Sequence, residues 1–323
     1  MKRYEFVVEP AAPPVRLDRY LVTHLPDTFS RAAVQRAIRL GAVTVGGNTA
    51  KAHRSLKTGE TIVARFDELP APVRSPMLAP ESIPLDIVYE DEQVLVVNKP
   101  PGLVAHPAPG HWTGTLVNGI LWHLEHLEQA QAPSALPRAG LVHRLDKDTS
   151  GLLVIAKTEL ALRLLARQLK ARTMSRRYVA LVEGHVPMDE GRVDASIGRH
   201  RTHRKQMSVR YLGGRQAVTH YRVLQRLATD AQPRPFRYTV IEARLETGRT
   251  HQIRVHMAHL GHPVLGDPVY SRHPAGFWEA LGIARQLLHA SAIQFTHPAT
   301  EQTMALTSGI PEDMMRWIEG GLT

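Results

Sequence analysis

The densest run of side chains able to do chemistry spans residues 140–151, where His143, Arg144, Asp146, Lys147, Asp148, Thr149 and Ser150 precede Gly151. Two carboxylates two positions apart, set among cations, can bind a metal, accept a phosphoryl group, or act as nucleophile or general base. The first option fails on its spacing. Asp146, Asp148, Ser150 and Gly151 match the first, third, fifth and sixth positions of an EF-hand calcium loop, but the twelfth, which needs a bidentate Glu, is Lys157. The second option wants an unbroken apolar strand ahead of Asp146-Lys147-Asp148, and His143 and Arg144 interrupt it. That chemistry also needs Mg²⁺ and further late acids, whereas Gly266-Asp267-Pro268 brings no second acid. The phosphoryl reading stays open beside a carboxylate that acts directly, as nucleophile or general base. Alone, an Asp in such a run is more often a turn or capping residue, so the surrounding elements must decide.

Gly151-Leu152-Leu153-Val154-Ile155-Ala156 reads as a buried strand. The acidic segment is therefore a loop entering a rigid scaffold, where chemistry commonly resides. An amphipathic helix follows from about residue 158 to 171. Leu162, Leu165 and Leu169 form its packing row, and Arg163, Arg167 and Lys170 form a basic stripe. Val94-Leu95-Val96-Val97 reads as a strand before the breaker turn Asn98-Lys99-Pro100-Pro101-Gly102. Residues 178–182, 217–224 and 238–245 read as further strands. The order lacks regular βαβ alternation and implies a mixed α+β sheet.

Pro70, Pro72, Pro76, Pro80 and Pro84 mark residues 67–84 as a linker, because proline fixes φ and removes amide donors. It separates a small unit, 1–66, from a larger one, 85–323. A second loop-like stretch covers about 128–137, and no internal repeat of useful length is present. In the small unit, Arg16-Leu17-Asp18-Arg19-Tyr20-Leu21 can open a helix, and Ser30 suits the N-cap of a second one ending at Gly41. On that second helix Arg31, Gln35 and Arg39 form a polar stripe beside the apolar Val34, Ala37 and Ile38. Val43-Thr44-Val45-Gly46-Gly47-Asn48 then reads as a strand running into a hairpin turn.

The 323 residues carry 40 Lys and Arg against 30 Asp and Glu, a formal charge of +10, which favours a polyanionic partner, most commonly nucleic acid. Arg199, Arg201, Arg204 and Lys205, with Arg210 and Arg215, add a third basic group. The absence of cysteine excludes disulfides, thiolate metal sites and a Cys nucleophile. The N-terminus, Met1-Lys2-Arg3-Tyr4-Glu5-Phe6, is broken by charge, and no stretch approaches the roughly 18 apolar residues of a membrane span. The expectation is a soluble cytoplasmic protein without a signal peptide or membrane partner. The 18 histidines suggest no metal site. His251 and His256, five apart, would point to opposite faces of a strand.

His143-Arg144-Leu145-Asp146-Lys147-Asp148-Thr149-Ser150-Gly151 resembles the His-Arg-Leu-Asp-x-x-Thr-Ser-Gly signature of the RluA family of pseudouridine synthases. The likeness runs on in family order through Ile87-Val88-Tyr89-Glu90-Asp91, Val97-Asn98-Lys99-Pro100, Arg177-Tyr178-Val179-Ala180-Leu181-Val182-Glu183-Gly184, Thr247-Gly248-Arg249-Thr250-His251-Gln252-Ile253-Arg254-Val255-His256 and Leu287-Leu288-His289-Ala290. The small unit resembles the alpha-L RNA-binding domain that many members carry, with Gly46-Gly47 where Asn-Gly is usual. Pro84-Leu85-Asp86-Ile87 and Ala217-Val218-Thr219-His220-Tyr221-Arg222 are most similar to members that modify large-subunit ribosomal RNA.

The resemblance implies an α+β catalytic fold with a mixed, largely antiparallel sheet and a central cleft, acting on a ribosomal RNA stem-loop near the subunit interface. Either the ribosome or an assembly intermediate would be its partner; the bacterial enzyme would be a monomer needing no metal or organic cofactor. It assigns Asp146 as the catalytic carboxylate, Arg249 as its cationic partner, Tyr178 as the ring stacked on the target uracil, Leu288 as a pocket wall, and Arg144 as a residue that fills the RNA gap or meets a phosphate. Sibling substrates within large-subunit RNA, or a non-catalytic ribosome-assembly role, remain open at this point. Extruding a base costs a few kcal/mol and one stacking ring returns about 1–3 kcal/mol. Phosphate contacts must add to that, and the three basic groups are the candidates.

Overall fold

The computed structural model describes residues 3–10, 15–26, 29, 31–66, 79–107, 112–127, 136–203, 206–230, 235–274 and 276–320, with the side chains of 31–33, 137 and 138 excepted. The chain divides into two compact units, 1–73 and 74–323. Ser30, Arg204, Lys205 and the proline-rich stretch 67–78 lie outside the described residues, as does the Arg31 side chain.

In the small unit, β1 (Arg3–Val7), α1 (Leu17–His24), α2 (Arg31–Arg39), β2 (Val43–Val45), β3 (Asn48–Thr49) and β4 (Thr61–Arg65) form an antiparallel sheet of order β1-β4-β2-β3 with two helices. Alternation along β4 sends Ile62 and Ala64 into a core shared with Leu17, Leu21, Val34 and Ala37. Gly46 and Gly47 both have positive φ, +58° and +79°, which the tight β2–β3 turn requires. The polar stripe of α2 divides. Arg39 is exposed, but Gln35 donates its amide to Oδ2 of buried Asp18 at 3.0 Å, so Gln35 serves the interior of this unit.

The large unit contains β5 (Ile87–Glu90), β6 (Val94–Lys99), α3 (Leu116–Glu125), β7 (Ser150–Ala156), α4 (Glu159–Ala171), β8 (Ser175–Glu183), β9 (Glu190–Asp194), β10 (Ile197–Arg199), β11 (Met207–Val209), β12 (Val218–Thr229), β13 (Phe236–Leu245), α5 (Gln252–His259), α6 (Phe277–Ala280), β14 (Leu288–Thr296), β15 (Thr303–Thr307) and α7 (Glu312–Ile318). The main sheet runs β5-β6-β7-β14-β8-β13-β12-β9, with β15 beside β14. Every named pair in it is antiparallel except β7 with β14, so the sheet is mixed and largely antiparallel. β10 and β11 form a separate hairpin.

Strand periodicity explains the layers. Leu95 and Val97 of β6 face one core with α3 and α5, while Val94 and Val96 face another with Ala161 and Leu165 of α4. A third core joins Val179 and Leu181 of β8 to Trp278 and Trp317. Thr158 caps α4, its hydroxyl accepting from the Ala161 amide at 3.1 Å, and leaves Arg163, Arg167 and Lys170 exposed. Residues 79–84, read as linker, are in part tied to α3: the Asn118 side chain donates to the Ala79 carbonyl and the Glu81 amide to the Asn118 carbonyl. The segment read as a strand carrying His251 and His256 is instead a loop followed by α5. Among the described residues, no helix is long and apolar enough to cross a membrane.

Candidate active site

Asp146 sits in the loop that enters β7, and that loop is pinned from three sides. Buried Lys99 donates Nζ to the carbonyls of Pro100, Leu103 and Lys147 at 2.7–2.9 Å. Burial pushes its pKa down to about 7. Arg285, clamped by Asp313 at 2.6 and 2.8 Å, donates to the Asp148 carbonyl. Gln286 donates to the Thr149 hydroxyl. Directly after the loop, Gly151 passes so close to β14 that a Cβ there would lie 2.3 Å from the Ala290 carbonyl oxygen, with φ at +110°. Only glycine fits both the conformation and the approach.

The cation on Asp146 is Arg254, on α5. Its Nη1 donates to Asp146 Oδ2 at 3.0 Å, while Nε and Nη2 grip fully buried Asp267 at 2.6 and 2.8 Å. Burial opposes the charge of Arg254, but Asp267 and Asp146 together outweigh it and raise its pKa. One guanidinium shared by two carboxylates leaves a net negative charge beside the cleft. Arg249, expected to be the partner, donates Nε to the Gln216 carbonyl at 3.0 Å instead. Gln252 separates the two: its Oε1 accepts from the Arg249 amide and the Thr247 hydroxyl, so Arg249 stays in the loop while Arg254 falls in the first turn of α5. Burial, then Arg215 and Arg172, depress the Arg249 pKa, so three guanidiniums crowd one side of the cleft.

A cleft of about 630 Å³ brings together Asp146, Arg144, Tyr178, Arg249, Arg254 and Leu288. Its size and mixed polar and apolar walls suit a single nucleoside-sized group. Tyr178 on β8 is 5% exposed, and burial raises its phenol pKa, which keeps it protonated. Leu288 opens β14, on the neighbouring strand, and is 4% exposed. Arg144 is exposed, Lys170 of α4 joins the lining, and Arg199 and Arg201 are exposed at the β10–β11 hairpin.

Four residues that the sequence reading left without a role belong to this site. Asp267 is the second acid on Arg254. His251 lies with Nε2 3.9 Å from Asp146 Oδ1. His143 accepts the Val154 amide on Nε2, and burial holds its pKa down at about 3. Arg176 is buried against the cleft, and its Nε, like His143 Nδ1, has no hydrogen-bond partner among the described residues. His256, by contrast, is internal, bonded to Thr219 and the Ala195 carbonyl. Tyr211 and Leu212, 77% and 80% exposed, form an apolar tip beside Arg201 and Arg210.

The RNA pseudouridylate synthase family profile matches residues 93–259. The chain is 46% identical over 308 residues to ribosomal large subunit pseudouridine synthase D of Neisseria meningitidis, covering 93% of this chain and 76% of the relative. It is 42% identical to an uncharacterized RNA pseudouridine synthase of Bacillus subtilis, over 94% and 93% of the two chains. Among solved structures, human RNA pseudouridylate synthase domain containing 1 superposes with a TM-score of 0.55 at 25% identity, covering 70% of this chain and 83% of that one. Its spacing of motifs, its sheet and its cleft agree with these matches, and the chain belongs to the RNA pseudouridylate synthase family.

Proposed function

We propose that this protein isomerises uridine to pseudouridine in large-subunit ribosomal RNA, with Asp146 as the carboxylate that starts the reaction. The observation that supports it most is the shared Arg254, which orients Oδ2 of Asp146 while Oδ1 takes no short hydrogen bond among the described residues. A charge pair at about 3 Å is worth roughly 5 kcal/mol at an effective dielectric near 20, enough to offset much of the desolvation that a covering base imposes. The isomerisation is redox-neutral. The bond from ribose C1′ to uracil N1 breaks, the base turns, C1′ bonds to C5, and the C5 proton is replaced by one on N1. Tyr178 and Leu288, on adjacent strands and both lining the cleft, are read as the ring and the aliphatic wall that hold the extruded uracil.

Affinity falls to the cations. Arg249 with Arg172 and Arg215, Lys170 at the cleft, Arg163 and Arg167 on α4, and Arg199 and Arg201 at the hairpin are read as phosphate contacts. Arg39 is read as the corresponding contact of the small unit. The large-subunit assignment is supported by the relative from Neisseria meningitidis. The test is incubation of the purified protein, without added metal, with a large-subunit transcript or modification-free ribosomes, followed by pseudouridine mapping. Wild type is expected to introduce pseudouridine at defined uridines and Asp146→Asn none. A wild-type map identical to the no-enzyme control overturns the activity; full activity in Asp146→Asn overturns the site.

A further inference from the structure

The cleft holds a second donor of fixed direction, on His251. The Met207 amide donates to the Tyr270 hydroxyl oxygen at 2.9 Å, and the same oxygen lies 2.9 Å from His251 Nδ1. A phenol oxygen can accept twice, or accept once and donate its one proton; with Met207 donating to it, we take the second arrangement, in which the phenol proton goes to His251 Nδ1. The neutral ring then carries its hydrogen on Nε2, the nitrogen facing Asp146 Oδ1 at 3.9 Å. Burial lowers the His251 pKa against the pull of Asp146, which keeps the ring neutral.

The backbone adds an independent sign. His251 has φ +55° and ψ +26°, a left-handed conformation that costs a residue with a Cβ roughly 1–2 kcal/mol. Strain of this kind persists where the surrounding structure enforces it, and it gathers at functional sites. Asp267 also orders the turn that carries Tyr270, its Oδ1 accepting the Val269 and Tyr270 amides. The guanidinium of Arg254 lies 5.2 Å from the Tyr270 ring centre. Arg254 and Tyr270, the two groups that orient the Asp146 donors, are therefore ordered by one buried carboxylate.

We infer that His251 is a positioning residue for the isomerisation: its Nε2–H, aimed by Tyr270, closes on Asp146 Oδ1 when RNA fills the cleft and orients the oxygen that Arg254 leaves free. The inference rests on the reading of Asp146 given above. Closing 3.9 Å to hydrogen-bond length takes about 1 Å, the tightening expected between an empty site and its substrate complex.

The test compares wild type with His251→Asn, His251→Gln and Tyr270→Phe by single-turnover pseudouridine formation at saturating RNA, RNA affinity and thermal melting. Asn tolerates the left-handed backbone but cannot reach Oδ1. His251→Asn is expected to slow the single-turnover rate about 100-fold, the scale of a 1 Å misplacement, with RNA affinity within about two-fold of wild type. His251→Gln, whose longer amide can reach toward Oδ1, recovers part of that rate. Tyr270→Phe releases the tautomer and slows the reaction by less. ¹⁵N-histidine spectra are expected to show the Nε2–H tautomer in wild type and a mixture in Tyr270→Phe. An unchanged rate in His251→Asn, a loss confined to affinity and melting temperature, or an Nδ1–H tautomer in wild type overturns the inference. If His251→Asn does not fold, Tyr270→Phe and the tautomer decide. A wild type that forms no pseudouridine condemns the functional reading instead, a result the tautomer measurement does not depend on.

Discussion

Arg254 gives Asp146 one arm of its guanidinium and Asp267 the other two contacts, at 3.0 Å against 2.6 and 2.8 Å. The asymmetry matters. The buried acid fixes the arginine, and the arginine then orients the acid that lines the cleft.

Arg254→Lys keeps the charge but loses the fork, and a single ammonium cannot serve both acids. Its single-turnover rate is expected to fall at least about ten-fold with little change in fold. Arg254→Gln leaves Asp267 buried without its cation, which costs about 3–5 kcal/mol in urea unfolding. A Gln variant as stable as wild type contradicts the shared-arginine picture.

Gly151→Ala tests the close approach of β7 to β14. The added Cβ meets the Ala290 carbonyl at 2.3 Å in a positive-φ conformation, so the loss is expected to be about 2–4 kcal/mol. Urea midpoints measure it, and a shift under about 0.5 kcal/mol would show that the strands part freely.

Fully buried His289 lies between the hydroxyls of Ser150 and Ser308, at 2.9 and 2.8 Å. Burial pushes its pKa down to about 4. The unfolded chain binds a proton there near pH 6.5, whereas the folded chain does not until about pH 4. This contribution to stability is fully present above pH 6.5 and declines as the pH falls toward 4, by on the order of 3 kcal/mol. Unfolding free energies at pH 7.5 and 5 should differ in that direction. His289→Asn should flatten the difference; an equal slope in the variant refutes the assignment.

Tyr211, exposed beside Arg201 and Arg210, offers a ring to an unpaired base. Tyr211→Ala is expected to weaken RNA binding by about 1–3 kcal/mol. Arg199→Ala and Arg201→Ala should each lower the salt dependence of binding by about 0.7–0.9 in log–log slope, one phosphate contact apiece. Unchanged affinity and slope would make the hairpin a bystander.

Local structure was largely legible because it depends on near neighbours. The alternation in β6, the continuous apolar run of β7, the Thr158 cap of α4 and the paired glycines of the β2–β3 turn each act within a few residues. α3 was not read, although Leu116, Val117, Ile120, Leu121 and Leu124 are all buried. Their spacing, i, i+1, i+4, i+5 and i+8, puts them on one helix face, a period the sequence does carry. Gln35 was misread because its stripe looks solvated, but Asp18, seventeen positions earlier, turns it inward.

By itself the chain determined that Asp146 stands in a loop leading into a buried strand and that the protein carries an excess of positive charge suited to RNA; the cation on Asp146 was an expectation of the resemblance. Arg249 and Arg254 are equally cationic and five positions apart in one motif, so neither composition nor spacing distinguishes them. Tertiary structure made the choice. Gln252 begins α5 where it does, Asp267 draws the Arg254 guanidinium into the interior, and the chain path brings Asp146 to it across a separation of 108 positions. A pairing over that separation depends on where the sheet places its ends, and the local run of side chains does not record that.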